Sequence, residues 1–393
     1  VTASLLRLTL FCAALLPTAA LAQATDPPTA PERPNFFGLY PPPAPGKVTL
    51  SSPPPSTFTR RPDLFAPLLV YPRRDTFLVG GAIDVRYRAS QRDSTGSYVA
   101  SSRLTFDYIR ANAKDGDERG GVRLQGLLET PDLTRTRLNR LRLSEAYVFY
   151  KFLFPGVSAS LRGGQFVLPF GLAAVYDTPL QPIQPLYALS LGLRVDTGVM
   201  LEGTYGPYRY AAAVTTGAGP NRPDPDGRRL TTFRLERNFL TQSGRIQIGG
   251  SLLSGRAPVT EANSQLPASG TSSELRFVDK TRFAADASYA LEKLIARGEI
   301  VFGADDQNSV YGYFGEATYP VASRLTAVGA IRRWNFPEKA HTATTLSAGV
   351  HYELGLGLTL RTLLEYERDT PGGAAARTAF TDTRIVLQTR FDF

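Results

Sequence analysis

From Thr76 onward the chain is a series of short segments in which apolar and polar residues alternate, and the connections between them alternate as well, short then long. A period of two residues places successive side chains on opposite faces of a strand. The pattern predicts strands near 76–89, 97–112, 119–130, 140–153, 156–169, 196–205, 207–217, 229–240, 243–255, 280–292, 294–304, 309–320, 322–335, 342–354, 357–368 and 379–393. That is an even set of about sixteen. Counted back from the C-terminus, one side has the connections at 355–356, 320–323, 292–293, 241–244, 206, 155 and 112–118. The other side has the long ones at 170–195, 218–228, 256–279 and 369–378. A sandwich with one wet face has no reason to sort its loops in this way, whereas a closed membrane barrel does. The expected fold is all-β, a closed antiparallel transmembrane β-barrel over 76–393.

The alternation also predicts which face meets which solvent. In the last segment Ile385, Leu387, Thr389, Phe391 and Phe393 share one face, and Asp382, Arg384, Gln388, Arg390 and Asp392 share the other. Tyr311, Tyr313, Ala317 and Tyr319 point one way and put aromatics near both ends of an apolar band, as interfacial girdles require. Phe283, Ala285, Ala287 and Tyr289 oppose Arg282, Asp286 and Ser288, while Ile246, Ile248, Gly250 and Leu252 oppose Arg245, Gln247, Gly249 and Ser251. Unpaired Arg is costly to bury. The charged face is therefore expected to surround a polar lumen, and the apolar face to meet outer-membrane lipid. Outside the N-terminus no run of about 20 apolar residues occurs, which excludes a helical membrane protein.

The N-terminal part reads differently. Arg7, an apolar stretch from Leu8 to Leu16 and the small-x-small site Ala20-Leu21-Ala22 predict a signal peptide over 1–22, cleaved near Ala22. The only cysteine, Cys12, lies within it. The exported chain is thus expected to use neither disulfides nor covalently attached haem. Residues 23–75 contain Pro41-Pro42-Pro43 and Pro53-Pro54-Pro55 among many further prolines. Such a segment cannot supply ladder hydrogen bonds and is expected to be an extended or disordered periplasmic linker. The alternatives to a plain spacer are that it grips a periplasmic partner or reaches into the pore.

The formal charge is +9, and removal of Arg7 with the leader lowers it to +8. Almost all the basic residues are Arg. In an exported barrel this excess points to anions or lipid headgroups rather than to nucleic acid. The candidate pore-lining residues are Arg86, Arg88, Arg123, Arg234, Arg282, Arg297, Arg361 and Arg384, with Arg103, Arg245, Arg324 and Arg390 of the same pattern. Acids interleave with them (Asp84, Asp107, Glu129, Glu236, Asp286, Glu299, Glu365, Asp382), so many of these side chains should pair with one another. The remaining Arg suits a weak preference for small anions. The connection 170–195 is long, apolar and aromatic, a poor surface loop. Packed inside, it would narrow the barrel, with Phe170, Tyr176, Asp177 and Arg194 as its candidate constriction residues.

The run Arg162-Gly163-Gly164-Gln165-Phe166-Val167-Leu168-Pro169-Phe170-Gly171-Leu172 resembles the strand-to-loop signature of the phosphate-selective porin family. Asp196-Thr197-Gly198-Val199-Met200-Leu201-Glu202-Gly203, Gly206-Pro207-Tyr208-Arg209-Tyr210 and Gly217-Ala218-Gly219-Pro220-Asn221 are similar to its following hairpin. The resemblance covers about 60 residues clearly. It implies a sixteen-stranded passive porin, often a homotrimer, with a constricting loop after the fifth strand and with Gly164, Gln165, Phe166, Pro169, Phe170 and Gly171 as motif residues. Members that select phosphate carry a Lys- and Arg-rich lumenal ladder; here the loop has only Arg194, Lys is scarce, and Val167 stands where a basic residue is common. General diffusion of small hydrophilic solutes is the safer expectation.

Enzyme chemistry has little to work with. The only histidines are His341 and His351, and no nucleophile elbow, P-loop or metal-spaced cluster is present, so neither catalysis nor a cofactor is expected. Two other readings compete with the channel: a barrel sheath for an exported electron-carrier partner, and a structural envelope anchor. Phe393, a terminal aromatic after an alternating strand, is the expected handle for the barrel-assembly machinery.

Overall fold

The computed structural model describes residues 75–393 apart from 92–95, 100–101, 112–117, 130–139, 155–156, 175–181, 225–226, 242–243, 260–276, 292, 337–340 and 372–379. The expected leader and all but the last residue of the Pro-rich segment lie outside the described residues. The strands are β1 (Thr76–Ser90), β2 (Gly96–Val99), β3 (Ser102–Ala111), β4 (Glu118–Glu129), β5 (Arg140–Phe154), β6 (Val157–Val167), β7 (Val195–Tyr205), β8 (Tyr208–Thr215) and β9 (Leu230–Thr241). They continue as β10 (Gly244–Pro258), β11 (Phe277–Leu291), β12 (Ile295–Asp305), β13 (Asn308–Ala322), β14 (Leu325–Phe336), β15 (His341–Gly355), β16 (Leu358–Pro371) and β17 (Phe380–Asp392).

From β3 to β17 each strand pairs antiparallel with the next. β2 and β3 both lie against β1, β2 along Val85–Arg88 and β3 along Thr76–Ala82, so they occupy one position in the wall. β1 then pairs with β17 from Ala82↔Asp392 to Ser90↔Arg384. The result is a closed sixteen-position antiparallel barrel. Phe393 completes the seam: its carbonyl accepts the Gly81 N–H at 2.8 Å, and its N–H donates to the Gly81 carbonyl at 3.1 Å. The ring of Phe393 fills the space that a side chain at Gly81 would need.

The two faces separate cleanly. Ile83, Val85, Leu201, Phe233, Leu235, Ile248, Ile300, Phe302, Leu364 and Leu387 are exposed, while their strand neighbours Asp84, Arg86, Glu202, Arg234, Glu236, Gln247, Glu299, Val301, Glu365 and Gln388 are buried. For a soluble sheet this would be inside out. For a barrel in hydrocarbon it follows from burying polar groups where only other protein can satisfy them.

Several boundaries depart from the sequence expectation for identifiable reasons. The β10–β11 ladder runs past 255 and 280 to Pro258↔Phe277, ending where a Pro without an N–H is tolerated. β8 stops at Thr215 because the next residues turn away: Thr216 Oγ1 and the N–H groups of Gly217 and Gly219 donate to the Asp196 carboxylate at 2.9, 2.5 and 3.1 Å. Arg324, expected on the inner wall, sits exposed in the turn between β13 and β14. The loop sorting is incomplete: on the long-loop rim only residues 337–340 separate β14 from β15, and only two separate β12 from β13. Asp306 and Gln307 make a tight turn on the long-loop rim, with Asp306 left-handed at φ 51°.

Placing a charge on the lipid-facing wall tests this assignment of faces. Ile300, at the middle of β12 and 58% exposed, should tolerate Leu, whereas Ile300→Arg should cost about 2–4 kcal/mol, read as a lower urea midpoint in lipid vesicles. An unchanged midpoint would put Ile300 on the wrong face.

Candidate functional site: the barrel interior

The inner wall is built from ionic groups placed by strand register. Arg234 on β9 donates to Asp286 on β11 at 2.6 and 2.9 Å and to Glu236 at 3.2 and 3.3 Å; Gln247 of β10 adds a bond to Glu236 at 2.9 Å. All are buried. Removing one member of such a cluster leaves the others uncompensated, at a cost of about 3–5 kcal/mol. Around the barrel, Arg86 pairs with Asp84 at 2.8 Å, and Gln388 donates to the same carboxylate at 2.7 Å. Arg384 pairs with Asp382 at 2.6 Å and Glu367 at 2.8 Å, and Arg297 with Glu316 at 2.8 Å. Arg123 pairs with Asp107 at 2.5 Å. Arg162 pairs with Glu202, its guanidinium 4.9 Å from the centre of the Tyr147 ring.

Of the residues singled out for the pore, Arg86, Arg234, Arg282, Arg297, Arg361 and Arg384 are buried at inward positions, and Arg88 and Arg123 are inward and half-buried. Arg361 donates to Gln388 at 3.2 Å. Among the deeply buried Asp, Glu, Arg and Lys side chains of the described residues there are as many acids as bases. His351 is buried beside Arg361 in the β15–β16 register, and neither ring nitrogen has a hydrogen-bond partner. Among the described residues no group of three or more His, Cys, Asp or Glu could hold a metal ion.

The segment between β6 and β7 crosses the interior. A 3-10 turn (Gly171–Ala174) and one turn of helix, α1 (Tyr187–Ser190), lie within it. Leu168, Phe170, Leu172, Ile183, Leu186, Leu189, Leu191 and Leu193 are buried in one cluster with inward residues of distant strands: Leu230, Leu253, Ala284, Val301, Phe314, Val328, Trp334, Leu363 and Val386. An apolar core of this size inside a barrel needs an apolar insert, and this segment supplies it.

Its backbone is held by wall side chains matched to each polar group. The Glu299 carboxylate accepts the N–H groups of Leu172 at 2.8 Å and Leu186 at 3.3 Å, and Ser251 Oγ accepts the Gly171 N–H at 3.0 Å. At the other end, Arg282 Nε donates to the Ser190 carbonyl and Lys280 Nζ to the Leu191 carbonyl, both at 3.0 Å. Arg332 donates to the Gln184 carbonyl at 3.3 Å. Cations therefore close the C-terminal end of α1, where carbonyls lack intrahelical partners. Buried backbone groups of an irregular segment must be satisfied somewhere, and here the barrel wall does it. The pattern had placed Glu299 and Arg282 on the inner face, but nothing in the sequence connects them, or Ser251 and Lys280, to residues about 80 to 130 positions away.

The motif residues turn out to shape this segment. Phe166 is buried among Tyr147, Met200, Ala211 and Ala213. Gln165, on the other side of β6, accepts the Asn221 N–H at 2.8 Å and donates to the carbonyls of Leu143 and Ser144 at 2.8 and 3.0 Å. Gly164 has φ +131°, and a Cβ there would meet the Tyr147 backbone. Pro169 and Phe170 are buried. Gly171 is left-handed at φ +54°, and any side chain there would strike the Glu299 carboxylate. Arg194 is half-buried, its carbonyl accepting the Leu168 N–H at 2.9 Å. Tyr176 and Asp177 lie outside the described residues.

No protein-family model matches the sequence, and no curated protein matches it. Among solved structures, the chain is similar to an anion-selective porin from Comamonas acidovorans (TM-score 0.60, 12% identity), covering 81% of this chain and 100% of that one. It is also similar to OmpT, an outer membrane protein of Vibrio cholerae solved in trimer form (TM-score 0.57, 12% identity, 81% and 100% covered). A third is Salmonella typhi OmpF in complex with daunomycin (TM-score 0.56, 9% identity, 82% and 98% covered). At these identities the likeness is one of fold: the closed porin-type barrel.

Glu299 makes the anchoring testable. Glu299→Ala should abolish hydrogen-exchange protection at the Leu172 and Leu186 amides while the β12 ladder keeps its own. Protection retained at both amides would mean that packing alone holds the segment.

Proposed function

We propose that the chain is an outer-membrane diffusion channel for small hydrophilic solutes and ions, exported with cleavage of its leader and narrowed by the 168–194 segment. The observation that carries this reading is an irregular segment crossing the interior of a closed barrel whose inward face is ionic. A structural anchor needs a closed barrel but no charged interior. An apolar insert pinned to the wall leaves the passage to be lined by inward residues that keep some exposure, including Arg88 and Arg103. The likeness to porins supports the same reading, and a homotrimer in outer-membrane lipid goes with it.

The preference for anions is slight. Acids and bases balance among the deeply buried side chains, so the lean rests on the formal excess of positive charge over the whole chain. Phosphate selectivity is not part of this reading, because the crossing segment carries only Arg194. Phe393, paired in the seam, is the element offered to the assembly machinery.

The experiment is single-channel current of the refolded mature chain in a planar bilayer under a salt gradient. A steady open current with a reversal potential slightly favouring anions is expected, and Arg88→Glu should move that potential toward cations. No current from folded, heat-modifiable protein would overturn the channel reading; a potential that Arg88→Glu leaves unmoved would remove Arg88 from the passage.

A further inference from the structure

The outer wall of this barrel is apolar almost everywhere, so outward-facing arginines need a reason. Arg333 on β14 and Arg368 on β16 are both registered to Thr344 of β15, two strands apart along one row of the sheet. At the usual strand spacing their backbones are about 10 Å apart. Both have outward parity. On β14 the buried positions are Val328, Trp334 and Phe336, and on β16 they are Thr359, Arg361, Leu363 and Glu365.

Arg368 is exposed, and Arg333 is half-buried with its Nε lacking a hydrogen-bond partner. The same face carries Thr342, Thr370 and Thr381. The acids of these strands, Glu353, Glu365, Glu367, Asp369, Asp382 and Asp392, all have inward parity. The row lies toward the long-loop rim, level with the exposed outward Tyr313, which is registered to Arg333. Such a ring marks the membrane interface.

Other outward cations on this rim are differently placed. Arg228 pairs with Asp279 at 3.2 Å, and Arg229 pairs with Asp224. The β14–β17 face alone combines two cations in one row, hydroxyls around them and no outward acid among the described residues.

We propose that Arg333 and Arg368 bind the phosphate groups of a phosphorylated glycolipid in the surrounding outer leaflet. This rests on the outer-membrane reading, with the long-loop rim facing outward. Two guanidinium groups on adjacent alternate strands can take two phosphates at once or share one, and guanidinium matches phosphate geometry. The threonine hydroxyls suit the sugar hydroxyls of such a headgroup. The interfacial tyrosine beside them fits the boundary between headgroup and acyl chain. The site would fix the orientation of this part of the wall against lipid without touching the passage.

The test uses the full chain in neutral detergent, titrated with bis-phosphorylated lipid A, its dephosphorylated form and phosphatidylglycerol, with bound lipid counted by native mass spectrometry. Binding should favour the bis-phosphorylated lipid. R333A/R368A should weaken it about tenfold or more, the scale expected for two surface cations facing an anionic headgroup. R333K/R368K should retain part of the binding, and R228A/R229A should leave it intact. Equal binding of the dephosphorylated lipid, a preference for phosphatidylglycerol, or an R333A/R368A variant that binds like the parent would overturn the proposal. Planar-bilayer current separates the two readings. R333A/R368A should conduct like the parent, and absence of current in both would sink the channel while leaving the lipid result to stand.

Discussion

In hydrocarbon no water is available to satisfy a backbone N–H or C=O, so a sheet that crosses a membrane must have no edge. Everything in this structure follows from the seam that removes that edge. β1 meets β17 along Ala82–Ser90, and the last residue of the chain closes the final bonds with Gly81. The first strand must then lie beside both the last strand and the next one. It does so with its lower half on β3 and its upper part on β2, the two pieces of one wall position.

Closure turns the ordinary logic of burial around. The outward face meets lipid and can be apolar without a core, while the inward face must satisfy its own polar groups. Charged residues therefore appear as paired networks rather than as isolated cations: Arg234 with Asp286 and Glu236, Arg384 with Asp382 and Glu367, Arg86 with Asp84 and Gln388. Desolvated pairs of this kind are weak evidence of stability but strong constraints on register, because removing one member strands the other. The crossing segment is governed by the same rule. Its apolar side chains fill the interior, and its backbone groups borrow Glu299, Ser251, Lys280, Arg282 and Arg332 from the wall. The ionic wall thus serves as the scaffold that holds the crossing segment in place.

The fold was largely legible before the structure, because period-two alternation and sorted connections are local signals. The sixteen expected segments correspond to the observed strands within a few residues, apart from the break between β2 and β3. Inward parity for Arg86, Arg234, Arg282, Arg297, Arg361 and Arg384 followed from the same alternation. Legibility failed where a long-range partner decided the outcome. Asp196 pulls Thr216–Gly219 off the end of β8, and the turn after β13 takes Arg324 out of the wall. The motif around Gly164–Gly171 was visible as a signature, but its work was not: Gly171 is glycine because Glu299, far along the chain, occupies the space.

The sequence by itself determined that the strands alternate, how many there are, which side of each is charged and which loops are long. These properties are written in neighbours one or two residues apart, and the pleat converts them directly into faces. Only the tertiary structure decided which cation meets which acid, that Glu299 holds the crossing segment, and that Arg333 and Arg368 stand in one row on the outside. Those facts depend on register between strands and on the closure of the barrel, which bring together residues that no local pattern connects.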